Sequence, residues 1–142
     1  MKAGDCIFYQ IAKINQWASR FSGKKLEHFG ITSVQGMILL FLSEEDGVSS
    51  NRLGEKIQLD SATLTGIIDR LESRNLIKRS PDSEDRRAIR IHLTSEGKKT
   101  ATEINKVMVK ANREFYSLLT ENEKEAFRSV IQKIRNAKDL SQ

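Results

Sequence analysis

The 142 residues allow one compact unit with a modest hydrophobic core and leave no room for a second large domain. Hydrophobic residues make up 38% of the chain and charged residues 30%, a balance that excludes an intrinsically disordered protein. The chain contains a single proline, so long stretches are free of helix breakers. We therefore expect a mostly helical fold.

The net charge of +5 is spread along the whole chain. Residues 1–48 carry 5 basic and 5 acidic side chains, residues 49–95 carry 9 and 7, and residues 96–142 carry 10 and 7. These local balances are too similar to identify a binding surface. The charge of these segments therefore does not indicate where an anionic partner would bind, whereas the order and spacing of individual residues can.

Cysteine content and hydropathy set further limits. Cys6 is the only cysteine, which excludes an intrachain disulfide and a cysteine-rich metal site, and we predict no cofactor. No run approaches the roughly 20 apolar residues of a membrane-spanning helix. The N-terminal residues also lack the pattern of a secretion signal. We predict a cytoplasmic protein.

Two helices are predicted in the N-terminal third of the chain. From about Asp5 to Phe21, apolar residues recur at spacings of three and four, the pattern of an amphipathic helix. Thr32, followed three residues later by Gln35, has the form of a capping box and opens a largely buried second helix. This helix is predicted to end near Gly47.

Two short helices and a hairpin follow. Ser49 and Ser50 are candidate caps for the first helix, and Asp60 can cap another from Ser61 to about Asn75. So tight a connection between two short helices predicts a helix-turn-helix. After Leu76 the apolar period changes from near 3.6 to 2, which predicts a hairpin with a long, charged loop. A hairpin in this place is a wing.

The pattern returns to helix from Thr94, and a second capping box at Thr120 and Glu123 opens a last helix. The small lobe in the middle of the chain cannot cover the apolar faces of the first helix and the last two. We expect a second copy to cover them in a two-fold homodimer. The alternative is a monomer whose terminal helices cover each other.

The predicted organisation has three parts within one intertwined domain. Residues 1–48 form N-terminal helices for dimerisation and scaffolding. Residues 49–95 form the winged helix-turn-helix lobe, and residues 96–142 form C-terminal dimerisation helices.

The segment LDSATLTGIIDRLESRNLIKRSPDSEDRRAIRIHLTSEGK, residues 59–98, resembles the MarR family of bacterial regulators. The resemblance is carried by the aspartate before the second short helix, the Asp69-Arg70-Leu71 turn, the ESRNLIKR lead into the hairpin, the Asp85-Arg86-Arg87 tip and the LTSEG close. The flanking helices match that family in number, order and length.

This resemblance implies a mainly α fold with a small β-hairpin wing, namely a winged helix-turn-helix with flanking dimerisation helices. It also implies a transcriptional regulator that binds double-stranded DNA. In that family the expected protein is a homodimeric repressor on a palindromic operator, released by a small aromatic or phenolic molecule.

The second short helix has the side chains that a recognition helix needs. Such a helix enters the major groove only if its outward residues near the N-terminus are small or polar. The residues predicted to face the groove are Ser61, Ala62, Thr63, Thr65 and Gly66. The alternative is that some of the hydroxyl groups only cap or coat the helix.

The hairpin tip is predicted to reach the minor groove, which suits an arginine in size and charge. The family resemblance implies this role for Arg87, with Asp85 accepting its hydrogen bonds and fixing its direction. The alternative is a solvated charged loop, in which Asp82, Glu84 and Asp85 would repel DNA unless they pair with arginines.

Several basic residues are predicted to contact phosphates, as positioning contacts without sequence preference. They are Arg52, Lys56, Arg70, Arg74, Lys78, Arg86 and Arg90. For Arg70 the alternative is an ion pair with Asp69 or Glu72.

A cleft for the small effector is predicted among aromatic and apolar residues. Its candidate residues are Trp17, Phe21, His28, Phe29 and Met37. The alternative is that they are ordinary residues of the hydrophobic core.

Cys6 offers another mode of control, a thiol that senses peroxide. Without a lysine or arginine immediately beside it, we expect instead an inert buried thiol.

Two other functional classes are disfavoured. The only histidines, His28 and His92, lie in unrelated segments, and no hydrolase, zinc-protease, phosphate-loop or dinucleotide motif occurs, so we predict no enzyme. His92 is expected to point outward from its strand. A winged helix that binds protein would expose apolar residues on its recognition helix and wing, and this sequence places polar residues there.

Overall fold

The structure, a computed structural model, describes residues 2–82 and 88–137. Within these residues the helices are α1 (Ile7–Leu26), α2 (Ser33–Glu44), α3 (Ser50–Ile57), α4 (Ser61–Ser73), α5 (Ser95–Tyr116) and α6 (Glu121–Asn136). The strands are β1 (Val48–Ser49), β2 (Ile77–Pro81) and β3 (Ile89–Leu93). The predicted fold class, mainly α with a small hairpin, is confirmed.

Short-range capping interactions fix several helix starts. At α2 the Gln35 backbone N–H donates to Thr32 Oγ1 at 3.2 Å, and the Thr32 N–H donates to Gln35 Oε1 at 2.8 Å. Thr120 and Glu123 form the same pair at α6. There the Thr120 backbone N–H, and then its hydroxyl, lower the pKa of the Glu123 carboxyl. Both predicted capping boxes are confirmed.

The first helix is longer than predicted. It runs to Leu26 instead of Phe21, and a 3-10 turn, Glu27–Phe29, follows it directly. Leu26 is 2% exposed and belongs to the core, so tertiary packing stabilises the last turn of α1. The amphipathic stripe alone did not reveal that contact.

The sheet has the order β1-β3-β2, with every neighbouring pair antiparallel. The predicted hairpin forms, with Ile77 opposite Leu93. The short strand β1 was missed by sequence reasoning. Its two residues carry no readable period, and they are extended because Val48 pairs with Ile91 of β3.

The chain divides into two compact units, Met1–Met108 and Val109–Gln142. The core of the first unit joins the end of α1, α2, the helix-turn-helix, the sheet and the start of α5, with Leu26, Ile38, Leu53, Ile68 and Ile104 among its members. The division therefore falls inside α5, whereas the sequence was divided at residues 48 and 95. The end of α1, α2 and the start of α5 share this core with the helix-turn-helix and the sheet.

In the described part of the chain, no single helix has both the length and the hydropathy of a membrane span. One helix pair, Ile7–Phe29 with Ser33–Glu44, meets these criteria jointly but is bent by 74°.

Replacing Gly97 by alanine should destabilise the first unit. A Cβ at Gly97 would lie 1.8 Å from the carbonyl oxygen of Leu76, an overlap that only a backbone shift can relieve. We expect a loss of about 3 kcal/mol in the free energy of unfolding, measured by urea denaturation. The matched control is Gly66→Ala, which meets nothing within 4 Å and should gain roughly 0.5–1 kcal/mol inside a helix. Equal stability of Gly97→Ala and wild type would contradict this packing.

Candidate nucleic-acid interface

Local caps fix the two helices of the helix-turn-helix and the turn between them. Ser49 Oγ accepts from the Arg52 backbone N–H at 3.2 Å and caps α3. Gln58, with φ 53°, ends α3 in the left-handed region, and Asp60 then caps α4. The predicted caps and tight turn are confirmed, and α4 is placed as the candidate recognition helix.

The N-terminal half of α4 presents an exposed face of small side chains. Leu64 and Ile68 point into the core, while the five residues predicted to face the groove are all exposed. Thr63 and Thr65 use their hydroxyl protons locally, donating to Asp60 Oδ2 at 2.6 Å and to the Ser61 carbonyl at 2.8 Å. Each hydroxyl oxygen keeps its lone pairs and can still accept a hydrogen bond.

The Asp60 cap should make stability depend on pH. The Thr63 hydroxyl, followed by the Thr63 backbone N–H, lowers the pKa of Asp60 below its ordinary value of 3.8. A lowered folded-state pKa stabilises the fold above the unfolded pKa, and this stabilisation is lost as the pH falls through the folded pKa. Asp60→Ala should therefore melt below wild type at neutral pH.

This gap should begin to narrow below about pH 3.8, and it should be smallest once the pH has fallen through the lower folded-state pKa and the folded carboxylate is protonated. The control is Asp60→Asn, because asparagine caps helices about as well as aspartate and should keep the neutral-pH melting temperature. Melting curves at several pH values measure both effects. A gap of constant size at every pH would be incompatible with this role of the carboxylate.

Two predicted phosphate contacts on α3 are exposed but share an acidic partner. Arg52 lies 2.8 Å and Lys56 3.5 Å from the Glu45 carboxylate, and Lys56 also lies over the ring of Phe41. Exposed ion pairs of this kind contribute little to stability and exchange readily with other anions. Both cations therefore remain suited to phosphates.

The two acidic residues considered as alternative partners of Arg70 pair with another arginine. Asp69 and Glu72 are both bound by Arg79, with Arg79 Nη2 lying 2.5 Å from Asp69 Oδ1. Burial acts to lower the pKa of Arg79, but the hydrogen bond with Asp69 and the charge of Glu72 outweigh it and raise the pKa. In the described residues, both carboxylates thus pair with Arg79 and neither pairs with Arg70. Sequence reasoning missed Arg79, which joins α4 to the first strand of the wing.

Two arginines predicted to contact phosphates have structural partners instead. Arg74 donates to the carbonyl oxygens of Phe29 and Gly30. Arg90 donates from Nε to Asp82 Oδ2 at 2.6 Å and from Nη1 to the Gly47 carbonyl at 2.8 Å. Because these guanidinium groups bind the protein itself, we leave both out of the proposed DNA contacts. The pair with Arg90 also neutralises Asp82, as the wing hypothesis required.

The remaining wing residues belong to the loop between β2 and β3. Asp85, Arg86 and Arg87, together with Glu84, lie outside the described residues. Lys78 lies on β2, the strand that precedes this loop, and its side chain is exposed. The roles predicted for the tip stay predictions.

Two expectations about single side chains are wrong. His92 does not point freely outward: it is half-buried, its Nε2 lies 2.9 Å from Ser80 Oγ, and its ring lies 4.0 Å from Asp46. The turn before β1 lies beside this ring through Asp46 and Gly47, which the hairpin pattern alone could not show. Cys6 is not buried either. It is half-buried at the start of α1, where no core surrounds it.

The residues predicted to line an effector cleft take part in separate side-chain contacts. Trp17 and Phe21 stack at 5.1 Å, His28 and Phe29 lie 3.9 Å apart, and Met37 is 44% exposed. An open groove of about 730 Å³ lies between the end of α1 and the start of α2, lined by residues between 19 and 34, and none of the five is among them. In residues 2–82 and 88–137, no group of three metal-ligating side chains occurs.

The comparisons with known proteins agree with this architecture. The family model described as MarR family matches residues 31–89. The regulator TtmR of Methylorubrum extorquens is 40% identical over 73 residues, which are 51% of this chain and 37% of TtmR. SarZ of Staphylococcus aureus is 29% identical over 90 residues, 63% of this chain and 61% of SarZ. The aligned part of the chain thus spans less than two thirds of each of these curated relatives.

A solved structure covers more of the chain. The crystal structure of the S. aureus MepR–DNA complex superposes with a TM-score of 0.86 and 27% identity, over 93% of this chain and 98% of the MepR chain. The match includes the helices on both sides of the winged lobe as well as the lobe itself. Residues 31–89 therefore match the MarR family, and the fold of the chain is similar to that of the MepR chain bound to DNA.

Proposed function

We propose that the chain is a transcriptional regulator that binds double-stranded DNA in a sequence-specific way. The observation that carries this proposal is the exposed face of α4, where Ser61, Ala62 and Gly66 project nothing bulky and Leu64 and Ile68 anchor the helix from behind. A helix with such a face can approach base edges closely. The DNA complex of the relative MepR supports the same use of the fold.

The regulator acts as a homodimer on a palindromic operator. The support is the face of α1, whose large apolar side chains stay exposed. They are Ile7 at 57%, Phe8 at 79%, Ile11 at 47% and Ile14 at 56%. In the second unit, α6 likewise exposes Val130, Ile131 and Ile134. Exposed apolar surface of this extent favours a protein partner, and two-fold pairing of the chains requires two-fold symmetry in the DNA site.

The contacts with DNA divide into three groups in this proposal. The start of α4 reads base edges in the major groove. Arg87, oriented by Asp85, enters the minor groove. Phosphates are contacted by Arg52, Lys56, Arg70, Lys78 and Arg86, of which the first four are exposed in the described residues.

The mode of regulation follows the family resemblance. The homodimer represses transcription while it occupies the operator, and a small aromatic or phenolic molecule releases it. Such a molecule regulates only if it prefers one separation of the two recognition helices over another. The five aromatic and apolar residues predicted for its cleft stay candidates, and the open groove between α1 and α2 adds a second place to search.

Salt dependence tests this function against a protein-binding role. The wild-type chain is titrated onto a fluorescent palindromic duplex selected from random-sequence DNA, at several salt concentrations. Each phosphate neutralised contributes about −0.9 to the slope of log affinity against log salt, so four or more contacts should give a slope steeper than about −3. A flat response, or no selected duplex at low salt, would instead favour a winged helix that binds protein.

A further inference from the structure

The C-terminal end of α4 is bound to the segment that follows α1. Arg74, the residue that ends α4, donates from Nη1 to the Gly30 carbonyl oxygen at 2.6 Å and from Nη2 to the Phe29 carbonyl oxygen at 2.7 Å. Donor and acceptors are 44 and 45 residues apart in the sequence. The contact therefore links two elements that are distant along the chain.

The acceptor geometry suits a guanidinium group. Phe29 ends the 3-10 turn, and Gly30 follows it in the left-handed region with φ 63°. Carbonyl oxygens at a helix end have no partner within the helix and lie at the negative end of its dipole. The planar guanidinium of Arg74 offers two donors in a fixed arrangement, and lysine has no equivalent. The two hydrogen bonds thus fix the orientation of the end of α4 relative to the segment after α1, as well as the distance between them.

The other contacts that hold α4 constrain its direction less. Leu64, Ile68 and Leu71 pack into the core, and hydrophobic packing has no directional preference of its own. Arg79 of β2 binds the two acidic residues of α4 and so ties this helix to the wing. The wing would move together with α4 if the helix tilted, so these ion pairs do not fix its direction. The two hydrogen bonds of Arg74 add a directional contact between α4 and the segment that continues from α1.

We propose that Arg74 is a positioning residue that fixes the direction of α4 relative to α1. Since α1 carries the apolar face assigned to the dimer, Arg74 thereby sets the separation of the two recognition helices. This inference rests on the proposed function. It predicts that Arg74 controls which half-site spacing the homodimer accepts, without touching the DNA.

The sequence-based alternative is a direct contact of Arg74 with phosphate. The two roles have different signatures. Loss of a phosphate contact weakens binding to all duplexes alike and makes the salt slope shallower by about 1. Loss of a positioning contact leaves the slope unchanged and lowers the discrimination between spacings.

The first test uses Arg74→Gln and Arg74→Lys on the duplex selected by wild type, and on versions with one base pair added or removed between the half-sites. We expect wild type to prefer the selected spacing by at least about tenfold, because each added pair displaces one half-site by 3.4 Å and rotates it around the helix axis. Both variants should reduce this preference to about threefold or less, with an unchanged salt slope.

The matched control is Lys78→Gln, an exposed residue proposed to contact phosphate. It should weaken binding at every spacing and make the slope shallower by about 1. Circular dichroism and sedimentation confirm that each variant is folded and dimeric. An Arg74→Gln protein with undiminished spacing preference, or with the shallower slope of the control, overturns the inference.

A second test needs no DNA. Spin labels are placed on Ser61→Cys in a Cys6→Ser background, and pulsed electron resonance measures the distance between the two copies in the free homodimer. The wild-type background should give one narrow distribution, and adding Arg74→Gln should broaden or shift it. Identical distributions overturn the inference. A wild-type chain that selects no duplex would contradict the proposed function, while this measurement would still decide the role of Arg74.

Discussion

An Ala62→Glu variant should lose operator binding by at least about 100-fold while remaining as stable as wild type. Ala62 is exposed in the first turn of α4, at the centre of the face proposed to enter the major groove. A glutamate there would place a carboxylate among phosphates and base edges, and like charges brought together in an interface cost several kcal/mol. In the first turn of a free helix, however, a glutamate favours the fold.

This combination separates binding from folding. Fluorescence anisotropy on the selected duplex measures the affinity, and thermal unfolding measures the stability. Thr102→Glu is the control, because it adds the same charge at an exposed position of α5 and should bind nearly as wild type does. Retained affinity in Ala62→Glu would show that this face of α4 does not meet DNA.

Ile14→Glu should separate the two chains of the dimer. Ile14 is 56% exposed, in the middle of the apolar face of α1. Burying such a side chain contributes about 1.5–3 kcal/mol, and a two-fold interface contains it twice. Loss of this contribution, with the cost of burying two carboxylates, should raise the dissociation constant of the dimer by at least about 100-fold.

Sedimentation equilibrium measures the dimer, and binding to the full palindrome should fall with it. The control is Gln16→Glu, since Gln16 lies roughly 200° around the helix from Ile14 and is exposed away from the apolar face. A wild-type chain that is monomeric, or an Ile14→Glu chain that dimerises as before, would refute the assigned interface.

The parts of the fold that the sequence predicted are those fixed by local interactions. The capping boxes at Thr32 and Thr120 and the cap at Asp60 depend on residues three positions apart, so their signal is complete within one turn of helix. The change of apolar period after Leu76 likewise revealed the hairpin. The exposed face of small side chains on α4 could be predicted residue by residue because the apolar spacing of Leu64, Ile68 and Leu71, which are buried, fixes the helical register.

The parts that the sequence did not predict depend on distant residues. Strand β1 exists only through its pairing with β3, about 40 residues away. Arg74 and Arg90 were expected to contact phosphates because both lie next to predicted DNA-binding elements. The local sequence does not indicate that their guanidinium groups bind backbone carbonyls elsewhere in the chain. Their acceptors, Gly30 and Gly47, lie 44 and 43 residues earlier. His92 was misjudged for the same reason.

Footprinting with measured stoichiometry tests the central claim most directly. Wild-type protein is bound to a duplex selected from random-sequence DNA, the chains per duplex are counted by sedimentation, and protected positions are mapped with hydroxyl radicals. The account predicts two chains per duplex and two symmetric protected regions whose centres lie about 10 base pairs, one helical turn, apart or a multiple of that distance. One chain per duplex, or a single protected region without symmetry, would contradict it.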